Sequence, residues 1–190
     1  MSPPDPTAAA EDLALLTLAQ QGDASAAQVL FKRLAPKAHA LAWRMLGDAA
    51  QAEDVVQDAL IKLFQVRQFQ GQSRISTYFH TMVSRACLDI CRSRHPVHFD
   101  SQWADDHVDQ LQVSGPDLDL SQAQQAARIE AALQALPPRQ RLAISLWAYH
   151  DHSAAEIAQV LHVDRNAADQ LLHRAKASLK KRLEHAHEPV

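Results

Sequence analysis

Apolar residues recur at three- and four-residue spacing along most of this chain, the signature of amphipathic helices, and one long interval lacks the period. The Pro- and Ala-rich first ten residues are expected to form a disordered tail. Helical periodicity begins near Asp12, pauses at Gly22 and Asp23, and resumes over Ala24–Leu46. There Ala27, Leu30, Phe31, Leu34, Leu41 and Met45 share one side. Pro36 is expected to kink or split that segment, because it lacks an N–H and its ring crowds the preceding turn. Gly47 ends it, and Asp48, with Gln51 three residues on, caps the next helix. That helix, AEDVVQDALIKLFQV, turns Val56, Ala59, Leu60 and Leu63 inward and leaves Glu53, Asp54, Gln57, Asp58 and Lys62 outside. A polar loop, RQFQGQSRIS, leads to a helix over residues 77–94, with Phe79, Met82, Val83, Ala86 and Ile90 as its buried stripe.

Periodicity is lost over residues 95–121, where Gly115-Pro116 marks a break, so this stretch reads as a linker. It returns over residues 122–136, is interrupted at Pro137-Pro138, and continues through 139–149. The remainder reads as a helix–turn–helix. Ser153 and Glu156 form a capping box, and Ala154, Ile157, Ala158 and Leu161 line one narrow face. His162, Val163 and Asp164 make the turn, with Asp164 as the next N-cap. The second helix keeps Ala168, Leu172, Ala175, Leu179 and Leu183 inside. Its outer face carries Asn166, Gln170, His173, Arg174 and Lys181, residue types that read base edges or hold phosphates, although an ordinary solvated helical hairpin fits the local pattern too.

Only 4 glycines among 190 residues, with recurrent Ala, Leu and Gln, favour an all-α protein. No apolar run is long enough for a transmembrane helix, and the acidic N-terminus lacks the basic start of a signal peptide, so a cytoplasmic location without membrane insertion is expected. The net charge of −3 conceals an asymmetry. Residues 165–182 hold six basic side chains against Asp169 alone, whereas residues 95–125 hold six aspartates and no Lys or Arg. Phosphate binding depends on that local field more than on the total. Cys87 and Cys91, with His95 and His98 nearby, are spaced unlike a usual zinc site, and buried reduced thiols are the expectation in place of a metal or cofactor. No phosphate-binding glycine motif or nucleophile–base pairing stands out, so an enzyme is not expected.

Three segments in this order, GDAAQAEDVVQDALIKLF, STYFHTMVSRACLDICRSR and ALQALPPRQRLAISLWAYHDHSAAEIAQVLHV followed by LLHRAKASLKKRL, resemble an extracytoplasmic-function (ECF) sigma factor. The resemblance covers nearly all of the chain after its tail. It implies two small helical domains joined by an acidic flexible linker: a region 2-like domain over 11–97, a linker over 98–121, and a region 4-like helix–turn–helix domain over 122–187, after a tail over 1–10. Asp54, Gln57, Asp58 and Ile61 match the surface that docks on core RNA polymerase. Residues 76–94 match the part that melts the −10 element and holds the non-template strand. Tyr78, Arg85, Arg92 and Arg94 are its candidates, together with Arg74 and Phe69 just before it. Tyr78 stands where the family usually has Trp, and Arg85 where Asn is common.

The helix–turn–helix matches the module that reads the −35 element of promoter DNA. Two customary basic positions there have become Asp169 and Leu171, which shifts the expected DNA contacts to Arg165, Asn166, Gln170, His173, Arg174, Lys176 and Lys180. Asn166 or Gln170 is the candidate for a bidentate contact to adenine. An anti-sigma factor is a further partner implied by the family. Two other readings stay open: a sigma-like decoy that sequesters an anti-sigma factor, favoured by Asp169 and Leu171, and a stand-alone helix–turn–helix regulator.

Overall fold

The computed structural model describes residues 6–66, 69, 74–94 and 122–185, which form eight helices and no strand. These are α1 (Pro6–Gln20), α2 (Ala24–Leu46), α3 (Ala49–Gln65), α4 (Ile75–Arg94), α5 (Gln122–Gln134), α6 (Pro138–Tyr149), α7 (Ala154–Leu161) and α8 (Arg165–His185). They divide into two compact units, one within Met1–Trp43 and Asp48–Cys87, the other within Arg44–Gly47 and Leu88–Val190. The acidic interval expected as a linker, with His95 and His98, lies outside the described residues.

Around α3 the helix boundaries follow from local chemistry. Asp48 Oδ1 accepts from the Gln51 N–H at 3.1 Å and Gln51 Nε2 donates to Asp48 Oδ2 at 3.2 Å, so the expected cap starts α3. Gly47 turns the chain out of α2 at φ +67°, a left-handed conformation that is strained for any residue with a Cβ. At the other end of α3, Gln20 Nε2 reaches from α1 to the Val66 carbonyl at 2.7 Å. Leu16, Leu30, Leu34, Leu41, Leu63, Phe79 and Val83 are all buried and supply the apolar interior.

Two expectations are corrected here. The first ten residues are not wholly a disordered tail, since α1 begins at Pro6; proline at the first helical position forfeits no helix hydrogen bond. Pro36 does not split α2, which is one helix from Ala24 to Leu46. Pro36 is exposed while Leu34, Ala35, Ala38 and Leu41 on the covered side are buried, and that burial offsets one missing backbone bond. The inward side of α4 also differs in detail. Ile75, Phe79, His80, Val83, Ser84, Cys87, Leu88 and Cys91 are buried, and Met82, Ala86 and Ile90 are only half-buried.

Cys87 and Cys91 are buried, and Cys91 Sγ donates to the Met45 carbonyl at 3.7 Å. Among the described residues no cluster of three or more His, Cys, Asp or Glu could hold a metal. Burial pushes the Cys91 thiol above its ordinary range. Since the thiolate is the reactive form, iodoacetamide at pH 8 is expected to leave Cys91 unmodified in the folded chain over a time in which the urea-unfolded chain reacts fully. Equal labelling rates in the two states, read by mass spectrometry, would contradict this burial.

The helix–turn–helix is built as its sequence suggests. Ser153 Oγ accepts from the Glu156 N–H at 3.3 Å while the Ser153 N–H donates to Glu156 Oε2 at 2.8 Å, closing a reciprocal box at the start of α7. His162 ends α7 in a left-handed conformation at φ 52°, and the Val163 N–H returns to the Ala158 carbonyl at 3.0 Å. Asp164 Oδ1 then accepts from the Ala167 N–H at 2.8 Å and starts α8. Ile157, Ala158, Leu161, Ala168, Leu172 and Ala175 are buried where α7 packs on α8. Leu133, Leu136 and Ile144 extend this core along Ala175. The Arg141 guanidinium donates to the Gln134 and Leu136 carbonyls, satisfying backbone acceptors at the C-terminal end of α5, and its burial lowers its own proton affinity.

Candidate polymerase and nucleic-acid interfaces

On α3 the expected docking residues form one stripe. Spacings of three and four residues place Asp54, Gln57, Asp58 and Ile61 on the same side, opposite the buried Val56, Ala59, Leu60 and Leu63. All four are exposed, and Gln57 Nε2 is steadied by Glu53 Oε1 at 3.0 Å. Ile61, at 55% exposure, is the most exposed large apolar side chain among the described residues. An aliphatic residue flanked by two carboxylates and an amide offers a partner both an apolar anchor and hydrogen-bond acceptors.

On α4 the expected aromatic and basic residues divide. Tyr78, Arg85 and Arg92 follow at seven-residue steps, with Arg74 one turn before them, so the four lie along one side of the helix. Arg74, Arg85 and Arg92 are exposed, and Arg92 donates to Asp89 at 3.3 Å. Tyr78 is half-buried, with its ring edge-on to Phe69 at 5.4 Å between centroids. This edge contact holds one side of the phenol ring in place while the rest remains accessible. Arg94 is placed differently, about half a helical turn round from that stripe, and donates from Nη1 to the Leu46 carbonyl at 3.2 Å. The contact satisfies a carbonyl at the end of α2, a structural task that the sequence pattern did not suggest.

The basic residues of α8 also fall into two groups. Arg165, Asn166, Gln170 and His173 are exposed and Arg174 half-buried along the N-terminal half of the helix, where such helices meet base edges. Arg165 lies 4.0 Å from Asp169, an exposed pair one turn apart that takes up part of its charge. Lys176 and Lys180 face α6. The Lys176 ammonium stands 3.5 Å from the centre of the Trp147 ring, and Lys180 pairs loosely with Glu184 at 3.6 Å. Trp147, overlooked in the sequence pattern because it reads as one more apolar residue of a helix, is 46% exposed.

The matches to known proteins follow the same order. The family profile of Sigma-70 region 2 matches residues 30–96, and that of Sigma-70, region 4 matches residues 126–179. The chain is 24% identical over 172 residues to the ECF RNA polymerase sigma factor SigW of Bacillus subtilis, covering 86% of this chain and 92% of that protein. It is 26% identical over 151 residues to the ECF RNA polymerase sigma factor SigE of Mycolicibacterium smegmatis, covering 80% of this chain but only 59% of that protein's length. Among solved structures, the sigma factor RpoE of Bartonella quintana, in complex with the anti-sigma factor NepR, shares the fold at a TM-score of 0.62 and 21% identity, over 83% of this chain and 96% of that one. No helix among the described residues is long and apolar enough to cross a membrane. Two sigma regions in their proper order, carried on the helices that display the exposed α3 stripe and the capped helix–turn–helix, place this chain in the ECF group of the sigma-70 family.

Proposed function

We propose that the chain is a promoter-specificity factor that binds core RNA polymerase, recognises two promoter elements with two helical domains, and helps to open the DNA. The observation that carries this reading is the combination, on one chain, of the apolar-and-acidic stripe around Ile61 with a capped helix–turn–helix exposing Asn166 and Gln170. Residues 11–97 would form the polymerase-docking and −10 domain and residues 122–187 the −35 domain, with 98–121 between them. Asp54, Gln57, Asp58 and Ile61 dock on the polymerase. Arg74, Tyr78, Arg85 and Arg92 face the melted non-template strand, where an aromatic ring beside cations accepts an unstacked base and its phosphates. Arg165, His173 and Arg174 hold phosphates of the −35 duplex, and Asn166 or Gln170 reads a base.

Strand opening then draws on binding energy for unstacked bases, with no bond made or broken by the protein, so the chain is a factor and not a catalyst. Such a protein works where RNA polymerase works, in the bacterial cytoplasm. An anti-sigma factor is a fitting regulator, as in the RpoE–NepR complex.

Run-off transcription from a genomic promoter library, with the purified chain plus core polymerase against core alone, tests the proposal. Discrete new start sites sharing two upstream elements are the expected result. The Arg165–Asp169 pair, which moderates a cation at the start of α8, favours one alternative, a decoy that binds an anti-sigma factor without starting transcription. Core binding without any transcript would mark that alternative. Once a −35 element is known, Gln170→Ala or Asn166→Ala is expected to relax preference at a single base pair by about 1 kcal/mol, roughly fivefold. A uniform loss across all base substitutions in a binding assay would show that the residue reads no base.

A further inference from the structure

One carboxylate stands among the cations of α8. Residues 165–182 hold six Lys and Arg and no acid but Asp169. Its side chain is 56% exposed, one turn beyond Arg165 and one turn before His173, three residues from Asn166 and next to Gln170. Arg165, Asn166, Gln170 and His173 are exposed as well. Asp169 therefore lies inside the set of side chains that the N-terminal half of α8 offers to a base edge.

The fold gains little from an acid at this place. Asp164 already starts the helix, its Oδ1 accepting from the Ala167 N–H at 2.8 Å. Asp169 comes after the first turn, where the helix dipole has ceased to favour a negative charge, and aspartate is a poor helix former. Its contact with Arg165 puts the cation N-terminal to the acid, the weaker order for a pair one turn apart, at a distance of 4.0 Å. Toward DNA the charge works against binding, because a carboxylate facing phosphates reduces the attraction that the six cations provide. A hydrogen bond to a base would offset that loss.

The chemistry of the group selects the base. An ionised carboxylate only accepts hydrogen bonds. In the major groove guanine and thymine present acceptors, and adenine presents its amino group beside the N7 lone pair, which repels a second carboxylate oxygen. Cytosine presents one polar group there, the N4 amine, and it donates. We infer, on the promoter-binding role proposed above, that Asp169 is a specificity-determining residue that accepts from cytosine N4 at one position of the −35 element, while Arg165 beside it holds a phosphate. At the other three bases the same charge meets a lone pair, so it acts against them as well as for cytosine.

The test uses the full chain with core polymerase on a promoter found by run-off transcription, its −35 element randomised, with the bound DNA sequenced for each variant. Asp169→Ala is expected to lose a cytosine preference of about fivefold or more at one position. Its affinity for duplex DNA of unrelated sequence should rise by about two- to fivefold at low salt, the range of an exposed charge pair. Asp169→Asn should move that position toward adenine, whose N6 and N7 suit a side-chain amide. Arg165→Ala should weaken binding to all sequences alike and keep the cytosine preference. A gain in affinity by Asp169→Ala with every base preference unchanged would make the carboxylate a repulsive charge only and overturn the inference. So would loss of the same preference in Arg165→Ala, which would assign the reading to the guanidinium. A parent chain that selects no element at all would overturn the promoter-binding role and this inference together, whereas an unchanged Asp169→Ala profile beside a selecting parent overturns the inference alone.

Discussion

Replacing Ile61 by Asp is expected to weaken binding to core RNA polymerase by about 30-fold or more, the loss that accompanies removal of a central interface anchor. The thermal midpoint should stay where it is in the parent chain. The reason lies in the contrast between the two sides of α3. Its inward side is closed by Ala52, Val55, Val56, Ala59, Leu60 and Leu63, all buried, so folding has no use for a further aliphatic residue on the outside. Ile61 nevertheless stands 55% exposed between Asp58 and Lys62, where a charge would cost the free protein nothing. An added carboxylate would introduce repulsion against whatever the acidic stripe meets and remove the apolar anchor at the same time. Fluorescence anisotropy of the labelled chain against core polymerase, with a circular-dichroism melt of each variant, makes the measurement. A parental dissociation constant for Ile61→Asp would exclude this stripe as the docking surface, and a lowered melting temperature would show that Ile61 packs in the fold.

Tyr78→Ala carries the second large expectation, a loss of about 30-fold in stable open complex, within the roughly 1–3 kcal/mol that base–aromatic stacking supplies per base. Tyr78→Phe should restore most of it, because stacking needs the ring and not the hydroxyl. The ring is half-buried with an edge contact to Phe69, so Ala also removes that ring contact. The phenylalanine variant separates these effects. Permanganate reactivity of thymines in the melted region, on a promoter found by run-off transcription, reports opening directly, and closed-complex binding reports docking. Equal opening by the alanine variant would remove Tyr78 from the strand-capture surface. Failure of Phe to rescue would point to the hydroxyl.

Much of the local architecture was legible because it is written in near neighbours. The caps at Asp48, Ser153 and Asp164 each depend on residues three positions apart, and all three hydrogen-bond as their spacing indicates. The exposed stripe of α3 follows from helical period alone. At Pro36 local preference favours a break, and the burial of neighbouring residues overrides it, while α1 begins at Pro6, where proline costs no helix hydrogen bond. The inner side of α4 lies about one residue away from its apolar pattern, because Ser84 and His80 do not read as core types, whereas Met82 and Ile90 do.

The sequence by itself determined the helical class, the capped helix–turn–helix and the family resemblance, since periodicity, caps and motif order are properties of residues near one another in the chain. Only the tertiary structure decided which cations are spent within the fold and which face outward. Arg94 donates to a carbonyl at the end of α2 and Lys176 sits on Trp147 while both stay at the surface, Arg141 is half-buried against the end of α5, and Arg85 lies on the exposed side of α4. The physical reason is that a guanidinium or ammonium finds its carbonyl or ring partner across the packed helices. The sequence separation of 48 residues between Arg94 and Leu46, for example, leaves no local trace of their contact.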